Sequence, residues 1–109
     1  MIELTNEVKQ QVIDLVRADL AEKFGPDDPI VFDPIVIDLR FDPDDEPYPH
    51  IYVVYDGDDE LMEPLWTAGL PGRLWPKLID MGIPELPGKS FVEKSEWEEV
   101  LAEKFRESA

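Results

Sequence analysis

Ile35-Val36-Ile37-Asp38-Leu39-Arg40-Phe41 and His50-Ile51-Tyr52-Val53-Val54-Tyr55 are the stretches whose reading decides the fold. In the first, Ile35, Ile37, Leu39 and Phe41 alternate with Val36, Asp38 and Arg40, which is the two-residue period of a half-buried strand. The second is extended, β-branched and aromatic. Between them, Asp42-Pro43-Asp44-Asp45-Glu46-Pro47 is too rich in proline to continue a strand, so the two segments are expected to pair as an antiparallel hairpin with an acidic loop. If Ile51, Val53 and Tyr55 point inward with Ile35, Ile37 and Leu39, alternation sends Tyr48, His50, Tyr52 and Val54 to the opposite side, beside Val36, Asp38 and Arg40.

Helices are expected on either side of this hairpin in the chain. Upstream, Thr5 or Asn6 caps a helix carrying Val8, Val12, Val16, Leu20 and Phe24 at four-residue steps, ended by Gly25, as a left-handed cap, and Pro26. Asp27 to Pro34 reads as a connecting loop that touches the core through Ile30 and Phe32. Downstream, Leu61 to Met81 mixes helical spacing with Pro64, Pro71 and Pro76, which predicts a broken helix, restarted or kinked at Pro76 and ending at Gly82. Its stripe is Leu74, Trp75, Leu78, Ile79 and Met81. Ser95-Glu96-Trp97-Glu98 has the form of a capping box, and Trp97, Val100, Leu101 and Phe105 give the final helix an apolar side. A short third strand fits Ser90-Phe91-Val92. The fold class is therefore α+β: one domain over residues 1–109, two layers, an antiparallel hairpin with about three helices, in the order α-β-β-α-α.

Charge narrows the partners. The 109 residues hold 26 acidic and 10 basic side chains, a formal charge of −16, and residues 26–60 alone carry one basic against twelve acidic, or −11. Such a field repels phosphate backbones and anionic lipid and speeds encounter with a basic surface, so neither nucleic acid nor a membrane is an expected partner. Solubility or adaptation to a salty cytoplasm accounts equally for acidity of this size. There is no run of 18 apolar residues, and Met1-Ile2-Glu3-Leu4 does not open a secretory signal, so the reading is a cytoplasmic protein. Zero cysteines exclude thiol nucleophiles and thiolate metal sites.

The motifs that carry chemistry in other proteins fail here on spacing. Gly69-Leu70-Pro71-Gly72 has the GxxG letters of KH modules, but Pro71 removes an amide donor and a helix break explains the glycines. Gly88-Lys89-Ser90 resembles the end of a phosphate loop, yet Gly82 stands one residue too far from Gly88 and a preceding strand is missing. The carboxylates Asp42, Asp44, Asp45 and Glu46, and Asp56, Asp58, Asp59 and Glu60, offer oxygens to a hard cation, but Asp56-Gly57-Asp58 puts its glycine second where a calcium loop has it sixth. They read as solvated turns at opposite ends of the hairpin. His50 is the sole histidine, with no serine or second histidine recognisable as its partner, and no cofactor is implied.

The sequence thus points to an acidic protein-interaction module or small accessory protein rather than an enzyme. Its expected interaction face is Val36, Arg40, Tyr48, His50, Tyr52 and Val54, turned toward a protein partner, basic or a second copy, unless the last helix covers that side. The alternatives are a small ligand- or divalent-cation-binding domain and an inhibitor that mimics DNA.

Overall fold

The computed structural model of the chain describes residues 4–108; the side chains of Asp59 and of residues 103–108, Phe105 among them, lie outside that description. The elements are α1 (Asn6–Lys23), β1 (Ile30–Phe41), β2 (Pro47–Gly57), a single 3-10 turn (Asp59–Leu61), α2 (Pro64–Ala68), α3 (Leu70–Asp80), β3 (Gly88–Glu93) and α4 (Lys94–Ser108). The α+β class and the order expected from the sequence both hold, with β3 inserted before the last helix.

The sheet order is β1-β2-β3. Strands β1 and β2 pair antiparallel from Ile30↔Gly57 to Phe41↔Pro47, while β3 runs parallel to β2, Tyr52 facing Ser90. Strand β1 starts five residues earlier than the alternation suggested, because Ile30 to Phe32 rejoin the ladder across a register shift between Phe32 and Ile35. Pro34 sits in that shift on an edge strand, where a missing amide donor is tolerated. At the hairpin loop the Asp42 carboxylate accepts from the backbone N–H of Asp44 and Glu46, both at 2.9 Å, which replaces the ladder that the prolines interrupt.

Alternation sorts the side chains as expected. Ile35, Ile37, Ile51 and Val53 face α1 and α3 and build the main core with Val12, Val16, Leu20, Leu70, Leu74, Leu78 and Ile83. Thr5 caps α1 by accepting from the Val8 N–H at 3.2 Å. The helix ends at Phe24 in extended backbone, and Gly25 is not left-handed; its N–H instead donates to the Asp28 carboxylate at 2.7 Å.

The break in the second helical region falls at Gly69, between α2 and α3, and α3 is continuous over Pro76 with no restart there. Magnitudes explain this correction. A proline inside a helix costs about 3 kcal/mol. Burying one leucine recovers roughly 1.5–3 kcal/mol, and Leu70, Leu74 and Leu78, at four-residue steps on one side, are all almost fully buried. The stripe is therefore narrower than expected: Trp75 and Ile79 stay 40% and 50% exposed. Gly82, with φ +87°, closes α3 as the Ile83 N–H reaches back to the Leu78 carbonyl at 2.8 Å.

Helix α4 follows β3 without a loop, so Ser95 lies inside its first turn rather than ahead of it. It packs on β2 and β3 over the second face of the sheet. No helix among the described residues is long and apolar enough to cross a membrane.

Candidate interaction surface

The second face of the sheet is built by the even-numbered residues of β2. Tyr48, His50 and Tyr52 form an aromatic ladder, with ring centroids 6.0 Å and 4.6 Å apart, and Trp97 of α4 extends it at 5.7 Å from Tyr52. Tyr52 is 5% exposed and Val54 0%. Of the two coverings open to this face, α4 or a partner, α4 occupies the Tyr52 and Val54 end. Val36, Arg40, Tyr48 and His50, the other residues expected on the face, are half-buried. Arg40 donates to the Tyr52 hydroxyl at 2.7 Å, which satisfies the one polar atom of an otherwise buried ring.

The structure also supplies a partner that sequence inspection missed. His50 Nε2 lies 2.8 Å from Ser90 Oγ, an approach made by the parallel pairing of β2 with β3 across forty residues of chain. The available signal was alternation in Ser90-Phe91-Val92, readable only once β3 is known to sit beside β2. A serine and histidine at this distance invite a nucleophile and base reading, but the geometry opposes it. His50 Nδ1 is buried without a hydrogen-bond partner. It lies over Gly88, where a Cβ would come within 2.6 Å of it. A base that takes a proton at Nε2 needs Nδ1–H held by an acceptor, and none lies at Nδ1; the tautomer that avoids an unpaired donor there carries its proton on Nε2, toward Ser90. Burial lowers the His50 pKa below 6.5, Arg40 and Lys89 add to that, and Asp38 opposes it.

Carboxylates gather at the two ends of the hairpin. At one end are Asp27, Asp28 and Asp33, with Asp56 and Asp58 brought alongside by the pairing Val31↔Asp56 and by the Asp58 N–H donating to the Pro29 carbonyl at 3.1 Å. At the other end are Asp42, Asp44, Asp45 and Glu46. Twelve residues of β1 separate the ends, about 36 Å at the rise of an extended strand. Among the described residues of these clusters, Asp33 is paired with a cation, Arg17 at 3.5 Å. Each end also exposes a large apolar side chain: Val31, 63% exposed, in the first cluster and Phe41, 60%, in the second. Among the described residues no group of three or more histidines or carboxylates is arranged to hold a metal ion.

The phosphate-binding resemblances dissolve in three dimensions. Gly69 marks the α2–α3 break and Gly72 lies in the first turn of α3, and Gly88-Lys89-Ser90 opens a strand rather than leading into a helix. Trp66 is half-buried against the edge of the core: it packs edge-on against Phe24 at 5.4 Å, and the Arg73 guanidinium lies 4.5 Å from its ring centre. Comparison with protein-family models, curated proteins and solved structures returned no match to this chain.

Proposed function

We propose that this protein is a non-enzymatic interaction module whose hairpin ends engage a basic surface on a protein partner. The observation that carries the reading is the exposure of Val31 and Phe41 inside the two acidic clusters. Singly exposed apolar side chains are ordinary on a protein surface, and Leu65, Ile79 and Leu86 are exposed too; what sets Val31 and Phe41 apart is their place among carboxylates, the combination by which an interface joins charge that steers encounter to apolar contact that holds. Arg40 and Tyr48 stand one rung from Phe41 and Pro47 but, by alternation, on the other face of the sheet, so with Val36 and His50 they offer a second, half-buried surface beside the acidic loop. Tyr52 and Val54, covered by α4, fall outside this surface.

A mimic of DNA is supported less well. It calls for a continuous row of carboxylates at phosphate spacing, and here two groups stand about 36 Å apart by strand rise with Arg40 and His50 between them.

The test is capture of partners by the immobilised protein, with Val31→Ser and Phe41→Ser beside a charge-reduced variant carrying Asp44→Asn, Asp45→Asn, Asp56→Asn and Asp58→Asn. The expected result is a partner with a basic surface, retained at low salt and lost from both kinds of variant while circular dichroism stays unchanged. A partner held equally by all forms, or none held at low salt, overturns the reading. Tyr52→Glu is not a suitable probe, because a carboxylate at a site 5% exposed would report folding rather than binding.

A further inference from the structure

Between the last turns of α1 and the first rungs of β1 lies a groove of about 200 Å³. Leu20 and Ile30 form its floor, and Phe24 and Phe32, with ring centres 5.1 Å apart, form one wall. Ala21 of α1, also on the lining, is exposed. The groove is open and its lining mixed, Arg17 and Gly25 standing beside Leu20, Phe24, Ile30 and Phe32; its volume exceeds the ~150 Å³ that holds benzene in an enclosed apolar cavity, which gives room to seat one leucine- or phenylalanine-sized side chain against the apolar part. The surroundings carry the opposite chemistry. Asp27 and Asp28 lie in the turn between Gly25 and Ile30, Asp33 follows Phe32, and Asp56 and Asp58 flank Gly57, which faces Ile30 in register. The one cation of the lining, Arg17, is already engaged by the Phe32 carbonyl at 3.1 Å and by Asp33.

We infer that this groove takes an apolar anchor side chain from a basic segment of the partner, one leucine or phenylalanine flanked by lysines or arginines. The inference rests on the reading of the protein as a binder of basic surfaces and names the point of attachment. Charge complementarity selects the occupant. Lysines flanking the anchor would meet the carboxylates of Asp27, Asp28, Asp56 and Asp58, which the Asp58 N–H bond to the Pro29 carbonyl and the Val31↔Asp56 pairing gather at the Ile30 end of the groove. Nucleic acid and acidic peptides are repelled by the same carboxylates, and a second copy brings its own −16.

Fluorescence anisotropy with labelled nonapeptides tests this: a central leucine flanked by lysines, the same peptide with serine for leucine, and one with glutamates for lysines. The leucine peptide is expected to bind at least tenfold more tightly than the serine peptide, and the glutamate peptide not at all. Ala21→Trp, which fills the groove from an exposed position, is expected to abolish the preference for leucine while circular dichroism and the unfolding midpoint stay unchanged. Equal binding of the leucine and serine peptides, indifferent to Ala21→Trp, overturns the groove and leaves the acidic-end reading standing. Failure of every lysine peptide to bind at low salt overturns both. Self-association that Ala21→Trp removes would place a second copy in the groove and overturn the assignment to a basic segment.

Discussion

His50 concentrates the informative chemistry at the scale of single residues. An imidazolium needs acceptors at both nitrogens, and the half-buried ring of His50 has Ser90 at Nε2 and only Gly88 at Nδ1. The charged form is further disfavoured by Arg40 and Lys89, against which Asp38 is the opposing group; Tyr48 and Tyr52 close the ring's sides without charge. The folded pKa is therefore below the ordinary 6.5. The unfolded chain then binds the proton more readily, so the stability contributed by neutral His50 is complete above pH 6.5 and is lost as pH falls from there through the folded pKa. Because His50 is the sole histidine, its ring protons can be followed alone by NMR, and a midpoint at or above 6.5 would contradict this account. Gly88 tests the same packing: in Gly88→Ala the new methyl group would sit 2.6 Å from His50 Nδ1 and 2.9 Å from Tyr48 Cε2. A loss of about 1–3 kcal/mol in urea unfolding is expected from such overpacking.

Among the elements, α3 shows burial overriding local preference. Its leucines at 70, 74 and 78 hold it against the core through a proline that lacks the amide donor the helix would use. Pro76 is exposed, so Pro76→Ala restores that donor without disturbing the packed side. The variant is expected to be more stable by about 1 kcal/mol or more, the restored helix interaction outweighing the greater freedom of the unfolded chain, and thermal unfolding would show it as a raised midpoint. Helix α4 makes the complementary point. Strand β2 presents apolar residues on both faces, with Ile51 and Val53 under α1 and α3 and with Tyr52 and Val54 under α4. Trp97→Ser removes the ring that closes over Tyr52 and is expected to increase binding of a hydrophobic dye, the wild type serving as reference.

The whole molecule carries −16 on a chain of 109 residues, and that charge opposes its own compaction. Salt screens such repulsion with a Debye length of about 30 Å at 0.01 M and about 8 Å at 0.15 M. Raising sodium chloride across that range should therefore increase the unfolding midpoint, and a fall would mean that ion pairs such as Arg73–Asp19 outweigh the net repulsion. Much of this protein was legible in its residues taken in order: α1 from a four-residue period, the hairpin from a two-residue one, the acidic ends from composition, and the end of α3 from Gly82. Each of these depends on neighbours a few positions apart, where backbone geometry alone relates sequence to shape. The parallel seat of β3, the meeting of His50 with Ser90, the helix that covers Tyr52, the passage of α3 through Pro76 and the groove between α1 and β1 were fixed only by tertiary structure. They join segments tens of residues apart, or set a local preference against the burial of a distant side chain, and no period along the chain encodes which face meets which.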